Sequence, residues 1–279
     1  MNYRHAFHAG NFADVLKHFV LVETLARLAT KDAALGFLDT HAGRGLYPLD
    51  DIAMQRGGEF RTGILPVLAA AAPPAALERY IALVRRIGGG DGALGAYPGS
   101  PLIAVELLRA QDRAAFCELE PLEAAALRAE LRGERRAAVH ERDGYEALGA
   151  LVPLPEKRGL VLIDPPYEDP LEFDRLARTV VQTHRRWPTG VYAIWYPVTR
   201  DGGAARFLAQ MQASGVRRQL VAELMLRRPD SPVGLNGAGM LLINPPFRLA
   251  ETLREGTQWL ASLLAPGEGR ARVEVLVGE

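Results

Sequence analysis

Leu160-Val161-Leu162-Ile163-Asp164-Pro165-Pro166-Tyr167 is the stretch from which the rest of the chain is read. Four consecutive aliphatic residues describe a strand buried on both faces. Two prolines then end it at Asp164, because proline lacks the N–H a ladder needs and fixes φ. A rigid elbow follows at the carboxyl end of an interior strand, with an acid before it and a ring after it. Ligands of open α/β sheets sit outside such strand ends.

Asp164-Pro165-Pro166-Tyr167 resembles the catalytic motif of S-adenosylmethionine-dependent amino-methyltransferases, which methylate the exocyclic amine of a nucleobase. Such an amine is a poor nucleophile, because its lone pair is delocalised into the ring. A carboxylate and a backbone carbonyl accepting its two N–H bonds favour a tetrahedral nitrogen and stabilise the positive charge developing there. The base must leave its stack, and an aromatic face gives it a place to lie. A second match to the broader pattern, Asn244-Pro245-Pro246-Phe247, ends a strand expected to run antiparallel. It therefore falls at the opposite edge of the sheet, and a structural role is assigned to it.

Strand–helix alternation extends outward on both sides of this element. Helical spacing covers 11–30, with Asn11 as cap, and a short strand at 35–38 leads into Asp39-Thr40-His41-Ala42-Gly43-Arg44-Gly45. That turn lacks the third glycine of the dinucleotide fingerprint but fits the looser acidic-x-x-x-Gly-x-Gly turn of methyltransferases, making Gly43 a cofactor-binding candidate. Further strands are expected at 114–117, 137–140, 160–163, 190–196, 217–226 and 240–243, most of them separated by helices. The fold class that follows is α/β, a Rossmann-like, mostly parallel doubly wound sheet whose last two strands form an antiparallel edge.

Residues 46–95 change character: helices at 63–72 and 75–87, Pro73-Pro74 between them, Gly88-Gly89-Gly90 at the end, and no strand signal. They are read as a helical insertion subdomain, with 1–45 and 96–279 forming the methyltransferase domain. Ser100 is expected to cap the helix after Tyr97-Pro98-Gly99. Removing the insertion closes most of the gap between Gly43 and Glu118, which places Glu118 where the ribose hydroxyls of a Rossmann-type ligand are held. Asp143 ends the next strand, on the adenine side, and Asp164 the one after. Trp195-Tyr196-Pro197 ends a parallel strand and lines the acceptor side.

The chain of 279 residues has 33 basic and 33 acidic side chains, so no overall field attracts nucleic acid and any RNA contact must be a local patch. One cysteine, Cys117, excludes an internal disulfide, and His5, His8 and His18 supply too few ligands for a metal site. A polar start and no apolar run of membrane-spanning length point to a cytoplasmic protein without membrane contact.

With these residues placed, nearly the whole chain resembles the RlmJ family, bacterial 23S ribosomal RNA adenine-N6 methyltransferases. The resemblance is carried by Tyr3-Arg4-His5, His8-Ala9-Gly10-Asn11, Asp14-Val15-Leu16-Lys17-His18, Leu38 to Gly43, Tyr97 to Leu102, Glu118, Asp143-Gly144, Asp164 to Tyr167 and Trp195-Tyr196-Pro197. It implies S-adenosyl-L-methionine contacts from His18, His41, Ser100, Glu118, Asp143, Gly144 and Asp164. It implies catalysis by Asp164, with Pro165 and Tyr167 beside it, and substrate contact by Tyr3 and Tyr167. Arg4, next to Tyr3, is expected to pair with a phosphate of 23S rRNA. Arginine pairs at Arg132/Arg135/Arg136, Arg185/Arg186, Arg217/Arg218 and Arg227/Arg228 are further candidates. No obligate protein partner is evident and a monomer is expected. The alternatives are a DNA adenine or rRNA guanine-N2 methyltransferase, or a non-catalytic RNA-associated nucleotide-binding protein.

Overall fold

The computed structural model describes residues 5–89 and 93–279; Tyr3 and Arg4, the expected substrate contacts, lie outside them. After a 3-10 turn at His5–Phe7 come α1 (Phe12–Leu28) and β1 (Gly36–Asp39). Residues 46–98 hold β2 (Leu46–Pro48), α2 (Ile52–Gly57), a 3-10 turn (Glu59–Arg61), α3 (Ile64–Ala69), α4 (Ala75–Gly88) and β3 (Ala96–Pro98). Then follow α5 (Ser100–Leu107), β4 (Arg113–Glu118), α6 (Pro121–Glu130), β5 (Ala137–Glu141), α7 (Gly144–Leu151) and β6 (Gly159–Ile163). The last third is α8 (Glu172–Arg186), β7 (Val191–Val198), α9 (Gly203–Ala213), β8 (Gln219–Met225), β9 (Gly237–Ile243), α10 (Leu249–Leu264) and β10 (Arg270–Val277).

The strands order as β10-β8-β9-β7-β6-β1-β4-β5. From β7 to β5 every neighbouring pair is parallel, which brings the ends of β6, β1 and β4 to one side. β9 runs antiparallel between β7 and β8, and β10 antiparallel outside β8. α1, α4, α5 and α10 cover one face, while α7, α8 and α9 cover the other.

Local chemistry accounts for most of these elements. Asn11 caps α1, its side-chain oxygen accepting from the amides of Ala13 and Asp14. α1 is buried from Phe12 to Leu25, sandwiched between the sheet and α4, α5 and α10. β6 is buried throughout, as its aliphatic run requires.

Four expectations change. Residues 46–95 are not free of strand: Leu46–Pro48 pairs antiparallel with Ala96–Pro98, closing the segment at its base. The cap of α5 is Gly99, and Ser100 is the first helical residue, its hydroxyl donating to Asp39 instead. The antiparallel edge does not stop at two strands, because α10 and β10 follow and β10 forms the edge. β8 and β9 pair with each other, but β9 also pairs with β7 and so lies inside the sheet.

That interior position has a consequence for Tyr196. Its cross-strand neighbour is Gly239, and a Cβ there would meet the tyrosine ring at 2.2 Å. The ring lies over this glycine and reaches β8, where its hydroxyl donates to Glu223 at 2.8 Å. Arg272 of β10 holds the other oxygen of Glu223 at 3.1 Å. At the far edge Asn244 donates to the carbonyls of Pro188 and Gly190, just before β7. Asn244-Pro245-Pro246-Phe247 is thus a structural clasp on the edge opposite Asp164.

Candidate active site

The carboxyl ends of β1, β4, β6 and β7 open into one cavity of about 1310 Å3. Among the described residues it gathers His18, His41, Gly43, Ser100, Glu118, Asp143, Gly144, Asp164, Pro165 and Tyr167, every catalytic and cofactor-binding candidate of the sequence; of the candidate arginine groups only Arg227 lines it.

β1 and β4 supply the first side. Thr40 is fastened to β6, its amide and hydroxyl both donating to the Leu162 carbonyl at 3.1 Å. Asp39 is fully buried at the end of β1, accepting from Ser100 at 2.7 Å and from the His41 amide at 3.2 Å. Burial pushes this carboxyl up to about 7 in spite of those donors. Gly43, at φ +63°, gives its amide to Glu118 at 2.8 Å, and the Glu120 amide takes the other oxygen. The Glu118 carboxyl is raised by burial.

The residues expected on the adenine side follow the end of β5. Asp143 caps α7, accepting from the amides of Tyr145 and Glu146. Burial acts to raise its pKa, but those amides and Arg175, 3.4 Å away, outweigh it and hold the carboxylate below its usual range. Arg175 also lies 4.0 Å over the Tyr145 ring. Gly144 packs so closely that a Cβ would meet the Thr40 carbonyl at 2.3 Å and the His41 ring at 2.7 Å. Only glycine lets the two loops pass at this distance.

His18 projects from α1 with its ring stacked on Tyr97 and its Nδ1 2.7 Å from the tyrosine hydroxyl. Tyr97 in turn meets the Tyr80 hydroxyl of α4 at 3.0 Å. Read as donation from Tyr80 to Tyr97 to Nδ1, this chain leaves the His18 proton on Nε2, a buried atom with no partner among the described residues. Burial lowers His18 to about 3 and His41 to about 4, so both rings are neutral at physiological pH.

The acceptor side is built around Asp164. Lys17, 5% exposed, places its Nζ 2.5 Å from Asp164 and 2.8 Å from Asp14. Asp14 also accepts from the Gly10 amide at 2.9 Å and pairs with His5 at 3.1 Å. Burial opposes the charge on both members, yet the mutual attraction wins: Lys17 is held well above and Asp14 well below its ordinary value. Tyr167, at φ +53°, donates to the Trp195 carbonyl at 2.6 Å and packs against Phe173 and Trp195. The three rings form an aromatic wall beside the carboxylate.

Lys17 and Asp14 are site residues that residue patterns alone did not single out. Their signal is positional: with His18 and Leu21 they form an i, i+3, i+4, i+7 stripe on a helix whose every face is buried. Charged groups there need partners, and the partner is Asp164.

S-adenosylmethionine fits these residues. The orphaned Nε2 donor of His18 suits the carboxylate of its methionine part, and Glu118 and Asp143 suit its ribose and adenine. Among the described residues carboxylates outnumber lysines and arginines along the cavity wall, which suits a cationic sulfonium. Fold and site together define a Rossmann-like methyltransferase.

Comparison with known proteins gives the family. Residues 32–277 match the description "Ribosomal RNA large subunit methyltransferase D, RlmJ", and the chain belongs to that family. It is 40% identical to the ribosomal RNA large subunit methyltransferase J of Escherichia coli and 38% identical to that of Haemophilus influenzae, over all of each chain. A crystal structure of a Legionella pneumophila protein superposes with a TM-score of 0.90 at 36% identity, covering 96% of this chain and 98% of that one.

Proposed function

We propose that the protein methylates the exocyclic N6 amine of an adenine in 23S ribosomal RNA, at the expense of S-adenosyl-L-methionine. Family membership supports the rRNA substrate and the cofactor. The observation that carries the N6 assignment is the Asp164 carboxylate, paired with Lys17 at 2.5 Å at the end of β6 and followed by Pro165, Pro166 and the Tyr167 ring.

In this reading the target base leaves its stack and lies against Tyr167. Asp164 and the Pro165 carbonyl accept the two N–H bonds of the amine, which directs the nitrogen lone pair at the methyl group. When bound, the cofactor would supply a sulfonium methyl whose departure leaves a neutral thioether, and the nitrogen, cationic once it carries the methyl group, would return to neutrality by releasing one proton to solvent. Lys17 fixes the position of the Asp164 carboxylate through the 2.5 Å ion pair. His18, His41, Gly43, Ser100, Glu118, Asp143 and Gly144 hold the cofactor, with Ser100 acting through Asp39. Residues 46–95 are proposed as a helical subdomain inserted in the methyltransferase domain, and the protein as a monomer.

The test is methyl transfer from labelled cofactor to a 23S transcript, compared with duplex DNA, followed by nucleoside mass analysis. N6-methyladenosine in RNA alone supports the assignment. Label on guanine N2, on DNA or on neither overturns it.

A further inference from the structure

The acceptor side of the cavity extends beyond Trp195 onto the loop between β8 and β9, from which Leu226, Arg227, Val233 and Leu235 form part of the wall. Because β9 turns back between β7 and β8, this loop emerges on the same side of the sheet as Asp164.

Asn236 gives the loop its shape. The residue is fully buried, and its carbonyl accepts the amides of Leu226 and Arg227. Its side-chain amide donates to the carbonyls of Pro229 and Ser231, and its own amide to Val198 at the end of β7. With Pro229 and Pro232 also limiting the backbone, the loop is set in position by the strand that carries Trp195.

Among the described residues four arginines line the cavity: Arg44, Arg56, Arg175 and Arg227. Arg44 is neutralised by Glu123 and Arg175 by Asp143. On the loop itself, Arg228 is paired with Asp230 at 3.1 Å. Arg227, like Arg56, has no carboxylate partner among the described residues; it is the one of the two on this loop, and the one hydrogen bond of its guanidinium is a 3.5 Å contact to the Leu235 carbonyl. Val233, 52% exposed, stands on the same wall. An unneutralised guanidinium beside an exposed apolar side chain, at the acceptor end of an otherwise acidic cavity, matches a nucleotide backbone with its sugar face. It repels the cationic cofactor.

We infer that the β8–β9 loop is an RNA-grasping lip in which Arg227 binds a phosphodiester flanking the target nucleotide. The inference rests on the rRNA reading above and adds to it a fixed anchor distinct from the N-terminal segment. A phosphate held here limits how far the flipped base reaches past Trp195 toward Asp164.

The experiment compares wild type, Arg227→Gln and Arg228→Gln for binding to a 23S transcript across a salt series, with calorimetric titration of S-adenosylmethionine on the same samples. Arg227→Gln is expected to weaken RNA binding about tenfold, the loss of one hydrogen bond to a charged group, and to reduce the salt slope by about one counterion. Cofactor affinity stays at the wild-type value, and Arg228→Gln stays within about twofold of wild type for RNA, as expected of a solvated ion pair. Wild-type affinity and slope in Arg227→Gln, with an active wild-type enzyme, overturn the inference alone. A wild-type protein that neither binds nor methylates the transcript overturns the functional reading and the inference with it.

Discussion

Replacing Lys17 by methionine keeps the length of the side chain and removes the one cation between two carboxylates. Lys17 is 5% exposed and Asp14 3%, so neither charge is well solvated. Breaking a buried pair by removing one partner costs about 3–5 kcal/mol. Asp14 retains the Gly10 amide and His5, and the Asp164 side chain keeps 16% of its exposure, so the lower figure applies. A loss of about 3 kcal/mol lowers the unfolding midpoint by roughly 6–12 °C in a chain of this size. The pH dependence separates this from a packing defect. In the wild type, Asp14 sits well below and Lys17 well above its ordinary value. The Asp14 contribution is therefore present above its unfolded pKa and lost only as pH falls through the depressed one. That of Lys17 is present below its unfolded pKa and lost only as pH rises through the raised one. Between about pH 5 and 9 the pair contributes a constant amount. Burial is already the largest influence on Asp14, and removing Lys17 takes away the main attraction that opposes it; the Asp14 pKa moves up, so the variant gains stability relative to wild type as pH falls and the carboxylate takes a proton. Urea unfolding at several pH values reads this directly. A deficit that is absent, or equal at pH 5 and pH 8, refutes the role given to Lys17.

Three other outcomes are expected. Asp164→Ala keeps most cofactor affinity by calorimetry but loses about 10²–10³ in methyl-transfer rate at saturating substrate, and wild-type turnover would remove Asp164 from the chemistry. Glu118→Ala weakens S-adenosylmethionine binding by about 1.5–3 kcal/mol, and an unchanged titration would mean that Glu118 serves only to hold the Gly43 and Glu120 amides. His41 is depressed from 6.5 to about 4, so the unfolded chain binds its proton first on acidification and stability falls across that window; His41→Asn should show a shallower decline over the same range in unfolding experiments, and an identical one would contradict the enclosed neutral ring.

Much of this architecture was legible because a few local patterns have single physical solutions. An aliphatic run broken by Asp164-Pro165-Pro166 leaves little besides an interior strand ending at a site. Strand–helix alternation forces a parallel core, and the order of acids at Glu118, Asp143 and Asp164 follows the strand ends. Strand order beyond β7 was not legible in the same way. The sign that β9 is interior, its burial at every position from Gly237 to Ile243, resembles the sign of any buried strand and does not name its neighbours. The alternation in Arg270–Val277 is the mark of an edge strand, but only packing on β8 fixes where that edge is. The reach of Lys17 to Asp164 spans 147 residues of sequence, and no spacing rule covers it.

The Tyr196 ring that passes over Gly239 acts as a lateral brace. Trp195 and Pro197, its two sequence neighbours, belong to the cavity wall, while Tyr196 points to the opposite face and is bonded to Glu223 on the strand that feeds the Arg227 loop. A sideways displacement of β7 is therefore handed to β8 through this side-chain bond as well as through the ladders of β9, and the wall beside Asp164 and the proposed RNA lip shift as one piece. The cofactor half, held by β1 and β4, has no part in that brace. A substitution at Gly239, in the dry interior and touching no ligand, would thus retune which RNA is accepted while leaving the methyl donor bound as before.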